Sequence, residues 1–298
     1  MSLPQLSTDR TARVGLLAGW GDYPRLVAAA LQAEGAEVFA IGVRGHVSAG
    51  LQDHCHSYRE IGIARLGAAI RFWRRHGVSS AIMAGKIHKL ALFRRGSWLQ
   101  HLPDWETLRT FAPHWITRTE DRRDDTLVHA LIGSFERHGI HFRPATDFLP
   151  ELLVTAGPIV GRLSAAQKQD VDFAWQHAKQ LGALDVGQTV VVKGRAVLAL
   201  EAIEGTDQCI KRAGELCPQG GFTVVKVAKP QQDMRFDVPT IGLGTMQTIA
   251  DAGGAVLAVE AGRTIVIDQP ALEKFGRRHK VKVFGHLDAD QKAQPRAA

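Results

Sequence analysis

Short apolar runs alternate with helix-length segments along most of this chain, and that alternation limits the fold more than any other feature. Arg13 to Ala18 reads as a buried strand and leads into the turn GWGDYP. An alanine-rich helix follows from Leu26 to Ala33, then a strand from Glu37 to Ile41, a helix from Ile63 to His76 and a strand from Val78 to Ala84. Strands that are apolar on both faces and separated by helices imply a parallel sheet with right-handed crossovers, since helices must cover both sides of such a sheet. Asp124 to His138 reads as the last helix of this half, with Asp124 or Asp125 placed to accept from the free amides of its first turn.

The stretch FRPATDFLPELLVTAGPIVGRLS has no clean period and carries three prolines, so the domain junction is placed near Val154. Residues 1–154 then form a Rossmann-like domain and 155–298 a mixed α/β domain, with a cleft expected where they meet. The second half opens with a helix from Ala165 to Leu181, capped by Ser164. Strands are expected at Thr189–Val192, Val197–Ala202, Thr223–Val227, Ala255–Val259, Thr264–Ile267 and Lys280–Phe284, and a helix at Asp207–Leu216. The 298 residues suffice for two domains, and 45% apolar with 22% charged residues is the composition of an ordinary globular protein.

Charge narrows the partners without choosing one. The formal net charge is +7 and the isoelectric point about 9.5, which favours nucleic acid, phosphorylated ligands or an anionic membrane surface. Three cysteines, Cys55, Cys209 and Cys217, form no CxxC pair and suit a reducing compartment. The amino-terminal residues lack the apolar run of a signal peptide, and no segment approaches the ~20 apolar residues of a membrane span. A cytoplasmic protein, able to touch the inner membrane peripherally, is expected.

Several constellations could carry chemistry. Gly15 to Pro24 puts glycines at a strand-to-helix turn, where backbone amides and the helix dipole can hold phosphate. Gly19, Gly21 and Asp22 are the contact candidates; the plainer reading is a tight turn of any α/β domain. The turn is not GxGxxG, and the second strand ends in Val43-Arg44 where an NAD site needs a carboxylate. Gly85 and Lys86, in AGKIHK, end another strand and could reach a phosphate, or Lys86 could be a solvated loop lysine. Residues Arg71 to Arg118 hold four of the six tryptophans (Trp73, Trp98, Trp105 and Trp115) and nine Lys or Arg against Asp104 and Glu106. Such a region suits a bilayer interface or single-stranded nucleic acid, and equally a core with a solvated basic face. Asp53-His54-Cys55-His56 has the look of metal ligands, but a closed site needs partners the sequence does not place.

The densest set lies in EAIEGTD, Glu201 to Asp207, and VAKPQQDMRFDVPTIG, Val227 to Gly242. In the latter Lys229, Asp233, Arg235 and Asp237 crowd around Pro230 and Pro239. Two prolines argue for a braced loop rather than a long helix. Carboxylates and cations on one loop suit metal-assisted phosphoryl chemistry, or alternatively a surface salt-bridge cluster.

At these residues the chain resembles the LpxI-type UDP-2,3-diacylglucosamine pyrophosphatases over almost its full length. GLLAGWGDYP, AGKI and RRDDTLVHAL match modestly. LDVGQTVVVKGRAVLALEAIEGTDQCIKR and VAKPQQDMRFDVPTIGLGTMQTIADAGGAVLAVEAGRTIVID match densely. The Trp-rich stretch and DHCHSYRE depart from the family, as do Trp20, Tyr23 and about a dozen extra leading residues. The resemblance implies hydrolysis of UDP-2,3-diacylglucosamine to UMP and 2,3-diacylglucosamine 1-phosphate in lipid A synthesis, with Mg²⁺ or another divalent cation. It also implies an essential aspartate in DVPTIG, which is Asp237.

On that basis Asp237, Asp233, Lys229 and Arg235 are expected to be catalytic. Asp237, Asp233, Glu204 and Asp207 are the candidate metal ligands. Gly19, Gly21, Asp22, Gly85, Lys86, Asp125, Gly205, Thr206 and Thr240 are expected to contact substrate. The expected partners are a lipid-linked nucleotide sugar, an anionic membrane surface and a second copy of the chain, with no nucleic acid. A dinucleotide oxidoreductase and a non-enzymatic lipid- or nucleic-acid-binding protein are the competing classes. The first lacks its fingerprint, and the second leaves the carboxylate-rich loop without a purpose.

Overall fold

The computed structural model describes residues 12–45, 47, 49–62, 64–85, 103–116 and 124–287. They fall into two compact α/β units. The first holds the described residues up to Pro150 together with Met234–Phe236; the second holds Glu151–Asp233 and the described residues from Asp237 onward. Met234–Phe236 join the first unit because Phe236 packs on its core and meets His129 edge-on at 5.3 Å, while Arg235 pairs with Glu136 at 3.3 Å.

The first unit is built on a five-stranded parallel sheet: β1 (Arg13–Ala18), β2 (Glu37–Val43), β3 (Ser57–Ile61), β4 (Ser80–Ala84) and β5 (His141–Phe142), in the order β3-β2-β1-β4-β5. Helices α1 (Tyr23–Ala33), α2 (Leu66–Arg75), α3 (Trp105–Ile116) and α4 (Asp124–Glu136) complete it. The order reverses between β1 and β4, which makes their carboxyl ends the switch point where open α/β sheets hold ligands. Trp73 is wholly buried among Phe39, Phe135 and Phe142, and its indole N–H donates to the Phe39 carbonyl at 2.8 Å. Gly15 lets that ring lie against β1, since a Cβ there would stand 2.9 Å from Trp73 Cε2.

One carboxylate ties two helices of this unit together. Asp104 precedes α3 and accepts from Thr107 N at 3.1 Å, and it also accepts from Ala68 N in the first turn of α2 at 3.0 Å. Burial opposes its ionisation, but hydrogen bonds from Thr107, Gly67 and Ala68 outweigh that and hold its carboxyl below the usual range.

The second unit holds a six-stranded sheet in the order β6-β13-β11-β9-β7-β8. Its parallel centre is β9 (Thr223–Lys226), β11 (Val256–Glu260) and β13 (Lys282–His286); β6 (Gly157–Val160) pairs antiparallel with β13, β7 (Thr189–Lys193) antiparallel with β9, and β8 (Ala196–Leu200) antiparallel with β7. Helix α5 (Ala165–Ala183) starts on a capping box between Ser164 and Gln167, and lays Val171, Ala174, Trp175 and Ala178 on one face. Helices α6 (Thr206–Leu216), α7 (Leu243–Asp251) and α8 (Gln269–His279) belong to the same unit; Ile210, Met246, Ile249 and Leu272 pack with Val224, Leu257 and Val259 of the other face. The β7–β8 hairpin turns through Gly194 and Arg195, both at positive φ as a two-residue turn requires, with Asp170 accepting from both amides.

The α/β class and the two-part architecture expected from the sequence are present. The strand expected at Thr264–Ile267 is present as β12 (Ile265–Val266), which pairs with β10 (Thr240–Ile241) in a separate two-stranded ladder. Among the described residues no helix is long and apolar enough to cross a membrane.

Candidate active site

Two carboxyl-end turns carry most of the residues singled out above. In the first unit β1 ends at Ala18, and the chain turns through Gly19, Trp20, Gly21 and Asp22 into α1. Gly19 N donates to the Ala84 carbonyl at 2.8 Å, so this turn is fastened to the end of β4. Gly85 then follows at φ +87°, and a Cβ there would meet Trp20 O and Pro24 Cγ, each at 2.8 Å. Glycine is required at Gly85 on both counts. Gly19, Gly21, Asp22 and Gly85 are thus brought together at the switch point. Asp22 precedes α1 without capping it through its side chain, and it is exposed. Lys86 and the Asp125 side chain lie outside the described residues.

In the second unit β9 runs into the loop Val227–Pro239, of which Met234–Phe236 belong to the first unit, and the loop returns as β10. Its middle is a single turn: Asp237 N donates to the Asp233 carbonyl at 2.9 Å, which puts both aspartates on one five-residue arc. Asp237 is exposed, and its Oδ2 accepts from Gln232 Nε2 at 2.8 Å. Lys229 Nζ pairs with Asp185 at 2.9 Å, and Arg235 with Glu136. The two cations expected to meet phosphoryl oxygens therefore start from partly exposed ion pairs. Such pairs are worth about 0–1 kcal/mol, so neither ion pair on its own locks its cation in place. At the loop's exit, Lys226 Nζ donates to the Thr240 carbonyl at 3.2 Å, and the Thr240 hydroxyl donates to Val238 O at 2.9 Å.

Residues around the start of α6 behave differently. Thr206 donates to the buried Glu201 at 3.1 Å, and Gly205 takes φ +82° to begin the helix. Glu204 is tied to Arg212 and to Ala202 N at 3.1 Å, and Asp207 stands in the first helical turn. Among the described residues no group of three or more His, Cys, Asp or Glu is placed to hold a metal ion. The four carboxylates assigned to a metal, Asp233, Asp237, Glu204 and Asp207, thus form no shared cluster; an arginine already neutralises Glu204. Asp233 and Asp237 share one backbone turn. One or two carboxylates with substrate phosphates are a donor set that fits Mg²⁺.

The metal-like DHCH segment is a structural turn. His54 Nδ1 lies 3.2 Å from Gln32 Oε1, the Cys55 thiol donates to Leu51 O, and His56 packs on Phe39. Burial pushes the Cys55 thiol up to about 11, far from the thiolate a metal takes. The basic aromatic region also splits. Trp73 is core, while Trp105 is 77% exposed; Trp98 and the Trp115 side chain lie outside the described residues.

Gln232, Asp185 and Lys226 were not foreseen. For Lys226 a signal existed: a lysine closing the apolar run Thr223–Lys226 stands at the strand end where α/β sheets keep functional groups.

The LpxI N-terminal domain profile matches residues 13–152, and the LpxI C-terminal domain profile matches residues 156–284. The chain belongs to the LpxI family. It is 30% identical over 269 residues to the protein named UDP-2,3-diacylglucosamine pyrophosphatase LpxI of Caulobacter vibrioides, covering 87% of this chain and 92% of that relative. The LpxI N-terminal domain thus contains the glycine turn, and the LpxI C-terminal domain contains the Asp233–Asp237 arc.

Proposed function

We propose that the chain hydrolyses the pyrophosphate of UDP-2,3-diacylglucosamine to UMP and 2,3-diacylglucosamine 1-phosphate. The observation that carries this reading is the Asp237 carboxylate, exposed and oriented by Gln232, in a chain that both LpxI domains match. Water adds to the sugar-side phosphorus, the bond to the bridging oxygen breaks, and UMP leaves with that oxygen. Asp237 orients the attacking water and takes its proton, a role open to an exposed carboxylate that Gln232 holds in place. Lys229 and Arg235 exchange their carboxylate partners for phosphoryl oxygens and offset the charge that gathers there. The glycine turn of the first unit, with Gly85 beside it, is by itself a backbone-amide site suited to an anion.

Mg²⁺, held by Asp237 and Asp233 together with substrate oxygens, would supply further charge neutralisation. The substrate's two acyl chains and the chain's positive charge favour peripheral contact with an anionic membrane, which vesicle binding across a salt series tests. The decisive assay incubates pure protein with UDP-2,3-diacylglucosamine and Mg²⁺. UMP and 2,3-diacylglucosamine 1-phosphate should appear, and EDTA should suppress them; an intact substrate after prolonged incubation with Mg²⁺ sinks the reading.

A further inference from the structure

Glu260 ends β11, the middle strand of the parallel trio, and its side chain is 1% exposed. A carboxylate taken out of water costs several kcal/mol unless it is paired and hydrogen-bonded, so this one needs partners. Lys179 Nζ, from α5, donates to Oε1 at 2.9 Å, and Arg263 Nη1 stands 4.0 Å from the same oxygen. The second oxygen, Oε2, accepts from the backbone N–H of Ala228 at 2.8 Å. Ala228 lies just past the end of β9: Val227 N still finds a backbone carbonyl, that of Gln188, whereas the Ala228 amide finds Glu260.

From there the contacts run on without a break. Arg263 Nη2 reaches the Lys229 carbonyl at 3.4 Å, and Lys229 N donates to Gln232 Oε1 at 2.9 Å. The other end of the same carboxamide, Gln232 Nε2, donates to Asp237 Oδ2. These two bonds fix which way the carboxamide points, and with it the carboxylate it holds. A buried charge on the sheet is therefore linked to the exposed aspartate through one backbone segment and one glutamine.

We propose that Glu260 is a positioning residue for Asp237, acting through Ala228, Lys229 and Gln232. The inference rests on the reading of Asp237 as the group that handles the attacking water. Glu260 need not meet substrate; it fixes where the loop leaves the sheet, and Gln232 carries that constraint to the carboxylate.

The test uses the full chain and Glu260→Gln, Lys179→Met, the double variant and Gln232→Leu. In Glu260→Gln the carboxamide cannot accept from Lys179 and Ala228 N at once, so one of its N–H groups faces a donor. Its kcat should fall on the order of 10²-fold, the loss that small misplacements of a reacting group produce, with KM changed far less. Removing the ammonium as well lets the amide oxygen turn to Ala228 N, so the double variant should recover part of kcat. Gln232→Leu breaks the last link without touching the buried pair, and should lose kcat with an unchanged melting midpoint. A folded Glu260→Gln protein with wild-type kcat overturns the proposal, as does full kcat in Gln232→Leu if the former does not fold. Hydrogen exchange over residues 227–237 gives a readout independent of turnover: exchange should quicken in Glu260→Gln, and unchanged protection overturns the proposal. A wild-type chain that leaves UDP-2,3-diacylglucosamine intact would instead remove the functional reading, while the exchange experiment still decides whether Glu260 holds the loop.

Discussion

The two carboxyl-end turns solve related problems with different means. In the first unit the turn after β1 is glycine and backbone: Gly19 N is fastened to Ala84 O, and Gly85 fits only because it lacks a side chain. In the second unit the loop after β9 is side chain: Asp237 is held by Gln232, Lys229 by Asp185, and the Thr240 carbonyl by Lys226. A backbone cradle recognises an anion by shape and dipole, and it fails when space is lost. A side-chain arc acts by charge and proton transfer, and it fails when a functional group is removed. If the division holds, substitutions in one region should register as binding and stability, and those in the other as turnover.

The sharpest way to break the contrast is Asp237→Ala. Loss of the group that takes the proton should lower kcat by a factor of about 10²–10⁴, with an unchanged melting midpoint because the side chain is exposed. Near-normal kcat would remove Asp237 from the chemistry. Next in size, Lys229→Met should lower kcat/KM by roughly 10- to 100-fold, the value of one hydrogen bond to a charged group; circular dichroism should find the fold intact, since its pair with Asp185 is half-exposed.

In the first unit, Gly85→Ala should destabilise by about 1–3 kcal/mol through strain at positive φ, and it also meets Trp20 O at 2.8 Å. KM should rise while kcat at saturation stays near wild type. Gly21→Ala is its control: it shares the positive φ, but a Cβ there meets nothing within 4 Å. Equal effects at the two positions would mean that strain alone is being measured.

The smallest effect belongs to Asp104, which shapes the first unit away from either turn. Asp104→Ala should cost about 1 kcal/mol, as helix caps do. The carboxyl is held below its ordinary value, so its contribution is present above the ordinary carboxylate range and is lost as pH falls through the lowered one. Thermal melts of wild type and variant should therefore differ at neutral pH and converge in acid.

How much of this is legible in the sequence depends on the reach of each interaction. The β1, β2 and β4 runs are apolar and are separated by helices, and Ser164 lies three residues before Gln167, so local pattern suffices for them. Strand β3 escapes because Ser57–Ile61 is polar and edge-like, with a charged pair at Arg59 and Glu60. Helices α7 and α8 begin at Gly242 and at Asp268-Gln269-Pro270, whose glycine and proline read as loop until a neighbouring layer is present. The DVPTIG aspartate was visible through family resemblance, but its orientation by Gln232 was not. Nor was the reach of Lys179 to Glu260 across 81 positions. Such contacts depend on which strand ends lie side by side, and that is a property of the assembled sheet.

Trp73 and Trp175, already placed in the two cores, give the molecule a pair of native optical reporters. One is a hydrogen-bonded indole of the first unit; the other lies on α5 with its N–H unpaired, 4.4 Å from His286 between ring centres. The two indoles sit in different polar surroundings, so their emission should differ in wavelength and quenching. Variants that keep only one of them at a time would let a stopped-flow trace follow each half of the chain separately, and reveal whether the halves unfold in one step or in sequence.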